Sequence, residues 1–189
     1  MNMKNIIYFI LTFIMVTVAT LALPPVAQAT TARTSAALVT PFEQKETVVD
    51  NRAEILEKFL KSYNSPLASH AKTFVEEADK NNIDWKLVVS IAGVESYFGQ
   101  QIPPYSYNGW GYGVYGNNVR RFESWDDGIA VVSHAIRSDY MDKWGATDVY
   151  GIGSKYAADK RWAYKVQNFI SLLEQFESKQ KNKTLSLSL

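Results

Sequence analysis

Between Lys86 and Arg120 the chain carries one charged side chain, Glu95, in the stretch "IAGVESYFG" that otherwise reads as protein interior. Val88, Ile91, Ala92 and Glu95 recur at three-and-four spacing, which puts the carboxylate on the same helix face as core residues. The position is near the C-terminal end of that helix, where desolvation and the negative helix end both favour the neutral acid. Its pKa is therefore expected above the ordinary glutamate value. A carboxylic acid still protonated near neutral pH is the group needed to protonate a leaving oxygen, such as that of a glycosidic bond. The same side chain could instead cap a loop by accepting backbone N–H bonds. The next segment bears on the choice, because "YNGWGYGVYG" alternates glycine with aromatic rings. Flat aromatic faces beside an acid suit pyranose rings, although simple packing in a small sheet would use the same residues.

Other chemistries find little support. The chain has no cysteine, and its two histidines, His70 and His134, stand far apart without an H-E-x-x-H pattern. Thiolate metal sites are excluded and a zinc hydrolase is not expected. Neither a G-x-S-x-G elbow nor a phosphate-binding G-x-x-x-x-G-K-[ST] loop is present. The expectation is chemistry from carboxylates, tyrosines and amides, with no metal and no cofactor.

The elements that must position Glu95 follow from periodicity and caps. Residues 1–29 have the layout of a signal peptide: Lys4, an apolar run from Ile6 to Leu23, a Pro-Pro break, and Ala27-Gln28-Ala29 as the cleavage pattern. An uncleaved membrane anchor is the alternative, since the run is nearly long enough to span a bilayer. The formal charge of the whole chain is +1, and loss of Lys4 with the leader brings it to zero, which argues against a nucleic-acid partner. Residues 30–50 read as a linker and 51–180 as one globular domain. Ile55, Leu56, Phe59 and Leu60 mark a first helix, Ser65-Pro66 opens a second through about Lys80, and Asp84 caps a third from Trp85 to about Phe98. Gln101 to Val119 is loop or short twisted strand. Ser124 to Asp127 starts a fourth helix through about Met141. A short helical turn is expected at about 148–156. Trp162, Val166, Phe169, Leu173 and Phe176 line a last helix, and 181–189 read as a flexible tail.

"ESYFG" (Glu95 to Gly99), "SYNGWGYGV" (Ser106 to Val114), "RFESWDDGI" (Arg121 to Ile129) and "KYAADKRWAYKV" (Lys155 to Val166) occur in an order that resembles the landmarks of bacterial glucosaminidase-type peptidoglycan hydrolases. The first is also similar to the soluble lytic transglycosylases, and both groups lie in the lysozyme-like superfamily. The resemblance spans roughly Ser65 to Phe176. It implies an α+β, mainly α, lysozyme-like domain with a small β or loop lobe after the catalytic helix, acting on β-1,4 bonds of peptidoglycan. It also implies that Glu95 is the catalytic acid and that Tyr156 faces it across a cleft. Asn108 and Trp110 match an N-x-[FW]-G loop bordering that cleft. With Ser96, Tyr107 and Tyr112 they form the candidate substrate-binding set. The G-L-M-Q element of the transglycosylases is absent, and "GWGYG" stands near its place.

A second catalytic group is less evident. Asp127 reads as the capping partner of Ser124, and Asp126 as a charge favouring the helix dipole, so Glu123, just ahead of that helix, is the candidate second carboxylate. The substrate's own N-acetyl group is the alternative. The expectation is a monomeric enzyme, secreted, periplasmic or cell-wall associated, whose partner is the peptidoglycan glycan strand, with no membrane contact after signal cleavage. A lytic transglycosylase and a noncatalytic glycan-binding accessory protein are the competing readings.

Overall fold

Helix α1, Arg52–Ser62, buries the expected stripe of Ile55, Leu56, Phe59 and Leu60. In this computed structural model the described residues are 50–187 except Tyr115 and Asn117. The signal-peptide reading and nearly all of the linker reading lie outside them. The second helix begins later than Ser65-Pro66 predicts. Ser65 Oγ accepts the N–H of Leu67 at 3.0 Å as a cap should. The chain then makes a 3-10 turn, Ala68–His70, before α2, Ala71–Asn81. Asn82 ends α2 in the left-handed conformation, and Ile83 N–H returns to the Ala78 carbonyl at 3.0 Å, which satisfies carbonyls that a helix end leaves open.

Helix α3, Trp85–Ser96, starts where Asp84 accepts the Lys86 N–H at 2.9 Å. It is the central helix, buried on nearly all sides and packed chiefly against α6 and α2. Ser90 and Gly93, which periodicity assigns to the outer face, are buried as well. Gly93 has a steric reason: a Cβ there would lie 2.8 Å from the Phe98 ring and 3.0 Å from that of Phe169. Only the missing side chain lets α6 approach so closely. The helix ends two residues before Phe98, because Tyr97 and Phe98 are both left-handed, at φ 51° and 58°. Two consecutive non-glycine residues in that region are strained and persist only where packing fixes them. Phe98 is fully buried, with ring centroids 4.7 Å from Tyr63 and 4.9 Å from Phe169.

Of the two forms expected after α3, loop and twisted strand, the described residues take the loop form. Among the described residues the segment after α3 contains one isolated bridge position, Asn118, and is otherwise loop. Left-handed residues at Tyr105, Tyr107, Gly111 and Gly113 break the two-residue period a strand requires. Side chains supply the hydrogen bonds that a ladder would have made. Helix α4, Trp125–Ala135, carries the predicted cap, with Ser124 Oγ accepting the Asp127 N–H at 3.1 Å. Asp127 in turn accepts the Glu123 N–H at 3.1 Å. Beyond Ala135 the helix widens into a π-helical stretch, Ile136–Lys143, where sequence predicts continued α-helix.

Helix α5, Val149–Tyr156, is capped by Asp148, and α6 covers Trp162–Leu187, extending past the polar boundary at Lys179. The protein is mainly helical. No helix among the described residues is long and apolar enough to cross a membrane.

Candidate functional site

Glu95 occupies the last turn of α3, at the solvent end of the core-facing stripe. Its Oε1 accepts a 2.5 Å hydrogen bond from the indole Nε1 of Trp162, the first residue of α6. Its Oε2 faces Gly111, where a Cβ would lie 3.3 Å away and where φ is +61°. A larger residue at 111 would be strained and would crowd the carboxylate. The other side of Glu95 is exposed. No backbone N–H is bonded to it among the described residues, so the loop-capping alternative lacks its main feature.

Desolvation raises the pKa of Glu95, while the Trp162 N–H and the positive charge of Lys165 pull the other way. The direction matches the sequence expectation, although the side chain is less enclosed than periodicity suggests. Lys165 itself pairs with Asp159 at 2.8 Å. Replacing Lys165 by Gln removes a charge that favours ionised Glu95, so the Glu95 titration should move to higher pH. Carbon-detected NMR of the glutamate carboxyls measures this directly. A downward shift would contradict the arrangement.

Tyr156 closes the group. Its ring stacks on Trp162 with centroids 4.7 Å apart and planes 20° apart, and its hydroxyl donates to the Trp110 carbonyl at 2.7 Å. Burial and the Glu95 charge, with smaller effects of Tyr140 and Tyr112, hold its pKa well above the usual phenol value. It therefore stays protonated and anchors the glycine-rich loop to α5. Glu95 and Tyr156 thus both meet the Trp162 indole, one through a hydrogen bond and the other by stacking.

The remaining predicted residues divide. Ser96 is 2% exposed, and its Oγ donates to the Gly109 carbonyl at 2.7 Å and accepts the Gly99 N–H at 2.8 Å. Asn108 is 3% exposed and wholly engaged: Nδ2 donates to the Tyr112 and Arg120 carbonyls, and Oδ1 accepts the Tyr112 and Trp110 N–H groups. Trp110 is 0% exposed, lies among Phe74, Phe122 and Trp125, and donates its Nε1 proton to the Val88 carbonyl at 2.9 Å. These three side chains build the loop and do not face a ligand, which corrects their assignment to substrate contact. A loop lying against the core must have its backbone groups satisfied, and Asn108 does that work.

Tyr107 stays exposed at the surface, edge-on to Trp125 with centroids 5.6 Å apart. Tyr112 is half-buried beneath the Arg120 guanidinium. Glu123 is exposed ahead of α4, and its carboxylate takes no part in the hydrogen bonds around Glu95. Asp126 does more than face the helix dipole, since its Oδ1 meets His70 Nδ1 at 2.8 Å and Thr73 Oγ1 at 2.6 Å.

Sequence reasoning missed the role of Trp162, which it read only as part of an apolar stripe. A buried indole N–H needs an acceptor, and that requirement was the available signal. The arrangement is one partly desolvated acid with an open side, a fixed indole donor and a glycine facing its second oxygen, a geometry compatible with delivering a proton. No protein-family model matches the chain, and no curated protein matches it.

Proposed function

We propose that the chain is an exported, lysozyme-like, peptidoglycan-cleaving enzyme in which Glu95 is the general acid. The observation that carries this reading is the Glu95 carboxyl itself: its pKa is raised by desolvation, one oxygen is oriented by Trp162, and one side is open. Structural networks also bury acids. A single desolvated acid beside a loop bearing Tyr107 and Tyr112 is better suited to proton delivery into a sugar cleft.

In the proposed reaction the Glu95 proton moves to the glycosidic oxygen as the C1–O bond breaks, and the acetamido oxygen of the same sugar attacks C1. Water then opens the resulting ring, and its proton returns to the Glu95 carboxylate. Assistance by the substrate suits a site in which Glu123 is neither bonded to Glu95 nor among the charges that shift it. The absence of a second acid suits ring closure by the muramic 6-hydroxyl equally, and hydrolysis at glucosamine is favoured because the Tyr107 to Gly111 loop and the Tyr156 segment resemble the glucosaminidase branch.

Mass spectrometry of digested glycan strands tests the branch. Hydrolysis should give fragments with free reducing ends on the glucosamine side. Products lighter by one water, about 18 Da, would instead make the enzyme a lytic transglycosylase.

A further inference from the structure

A cavity of about 440 Å³ opens between the glycine-rich loop and the end of α4, lined in part by Tyr112, Arg120, Val131, His134, Ser138 and Asp139. We propose that it seats the short peptide branch of the glycan strand, with Arg120 holding a carboxylate of that branch. The proposal rests on the peptidoglycan reading and adds a substrate preference to it.

Tyr112 connects the cavity to the acid. It follows Gly111, which lies against Glu95 Oε2, and its phenol acts electrostatically on Tyr156 beside Glu95. A strand placed for cleavage therefore has this cavity within one residue of the loop's contact with the acid. The volume falls within the range of small-molecule sites.

Charge identifies the occupant. The Arg120 guanidinium lies 5.1 Å from the Tyr112 ring centroid and 5.4 Å from that of Phe122, and the Arg120 carbonyl is fixed by Asn108 Nδ2 at 3.0 Å. Among the described residues no ion pair engages it. A guanidinium held against aromatic faces keeps its planar N–H edge for a carboxylate, which it can bind through two parallel bonds. Asp139, on the other wall, offers the opposite charge to an amine. Sugar hydroxyls can bond to either group singly, whereas a peptide with carboxylate and amine groups complements both charges at once.

The backbone on that wall is unusual too. Ser138 and Asp139 belong to the π-helical stretch Ile136–Lys143, a conformation that is rare and frequently found at functional sites.

The experiment compares turnover of glycan strands that retain their peptide branches with the same strands after an amidase has removed them and the freed lactyl carboxylates have been capped as primary amides. The wild type should favour branched strands by at least about tenfold in kcat/KM, the scale of one charge-assisted hydrogen bond. Arg120→Gln should collapse the ratio toward one through loss on the branched substrate. Ser138→Trp, which fills the cavity from the α4 side and keeps the Arg120 charge, should do the same. Equal wild-type turnover of both substrates would overturn the proposal and leave the peptidoglycan reading standing. So would a preference that survives both variants, or losses that fall equally on the two substrates. Cleavage of neither substrate by the wild type would overturn both readings.

Discussion

Glu95→Gln should lower glycan cleavage by at least about a hundredfold while leaving the fold intact, because it keeps the shape of the side chain and removes the transferable proton. The amide oxygen can still accept the Trp162 N–H, so the orienting bond survives. The variant should also melt above the wild type at neutral pH. The folded protein holds the Glu95 proton more tightly than the unfolded chain does, since burial raises the carboxyl above its ordinary value of 4.5. Stability from this group is therefore full below the unfolded value and lost as pH rises through the interval up to the folded one. Gln does not ionise and escapes that loss. Thermal melts of both proteins should diverge above the interval and converge below it. Melting curves that separate in the opposite sense would place Glu95 in a stabilising structural network instead.

Trp110→Ala should cost about 3–5 kcal/mol of folding stability, the range for removing a fully buried large aromatic side chain. The ring is 0% exposed, is in contact range of three other aromatic rings, and loses its bond to the Val88 carbonyl. Gly128 accommodates it, since a Cβ there would lie 2.7 Å from the indole. Collapse of the site around the missing ring would also release the loop that carries Gly111. Urea denaturation measures the change through its midpoint. A loss below about 1 kcal/mol accompanied by weakened glycan binding would mean that the indole serves a ligand and not the core.

These two tryptophans show where the sequence was readable and where it was not. The helices were legible because their cause is local: Asp84 and Ser124 cap backbone groups two or three residues away, and the stripe from Ile55 to Leu60 recurs on one face. The raised acid was legible for a similar reason, since an isolated charge in an apolar helix is a local contrast. The loop was not. Whether Trp110 turns inward or toward a ligand depends on Gly128, eighteen positions away, and the partners of Asn108 include a carbonyl at Arg120. The pairing of Trp162 with Glu95 joins residues separated by 67 positions. Periodicity reports which face of a helix is apolar, but carries no information on which distant group a buried N–H will meet. The choice between loop and twisted strand after α3 stayed open for the same reason, because glycine and aromatic alternation reads as either until the left-handed tyrosines are seen.

The central claim is that Glu95 supplies the proton for peptidoglycan cleavage, and its most direct test is a parallel digestion of purified peptidoglycan by wild type and Glu95→Gln, with soluble fragments identified by mass spectrometry. Fragments cut at β-1,4 bonds should appear with the wild type and fall at least about a hundredfold with the variant. Equal release by both proteins, or no release by folded wild type, would contradict it.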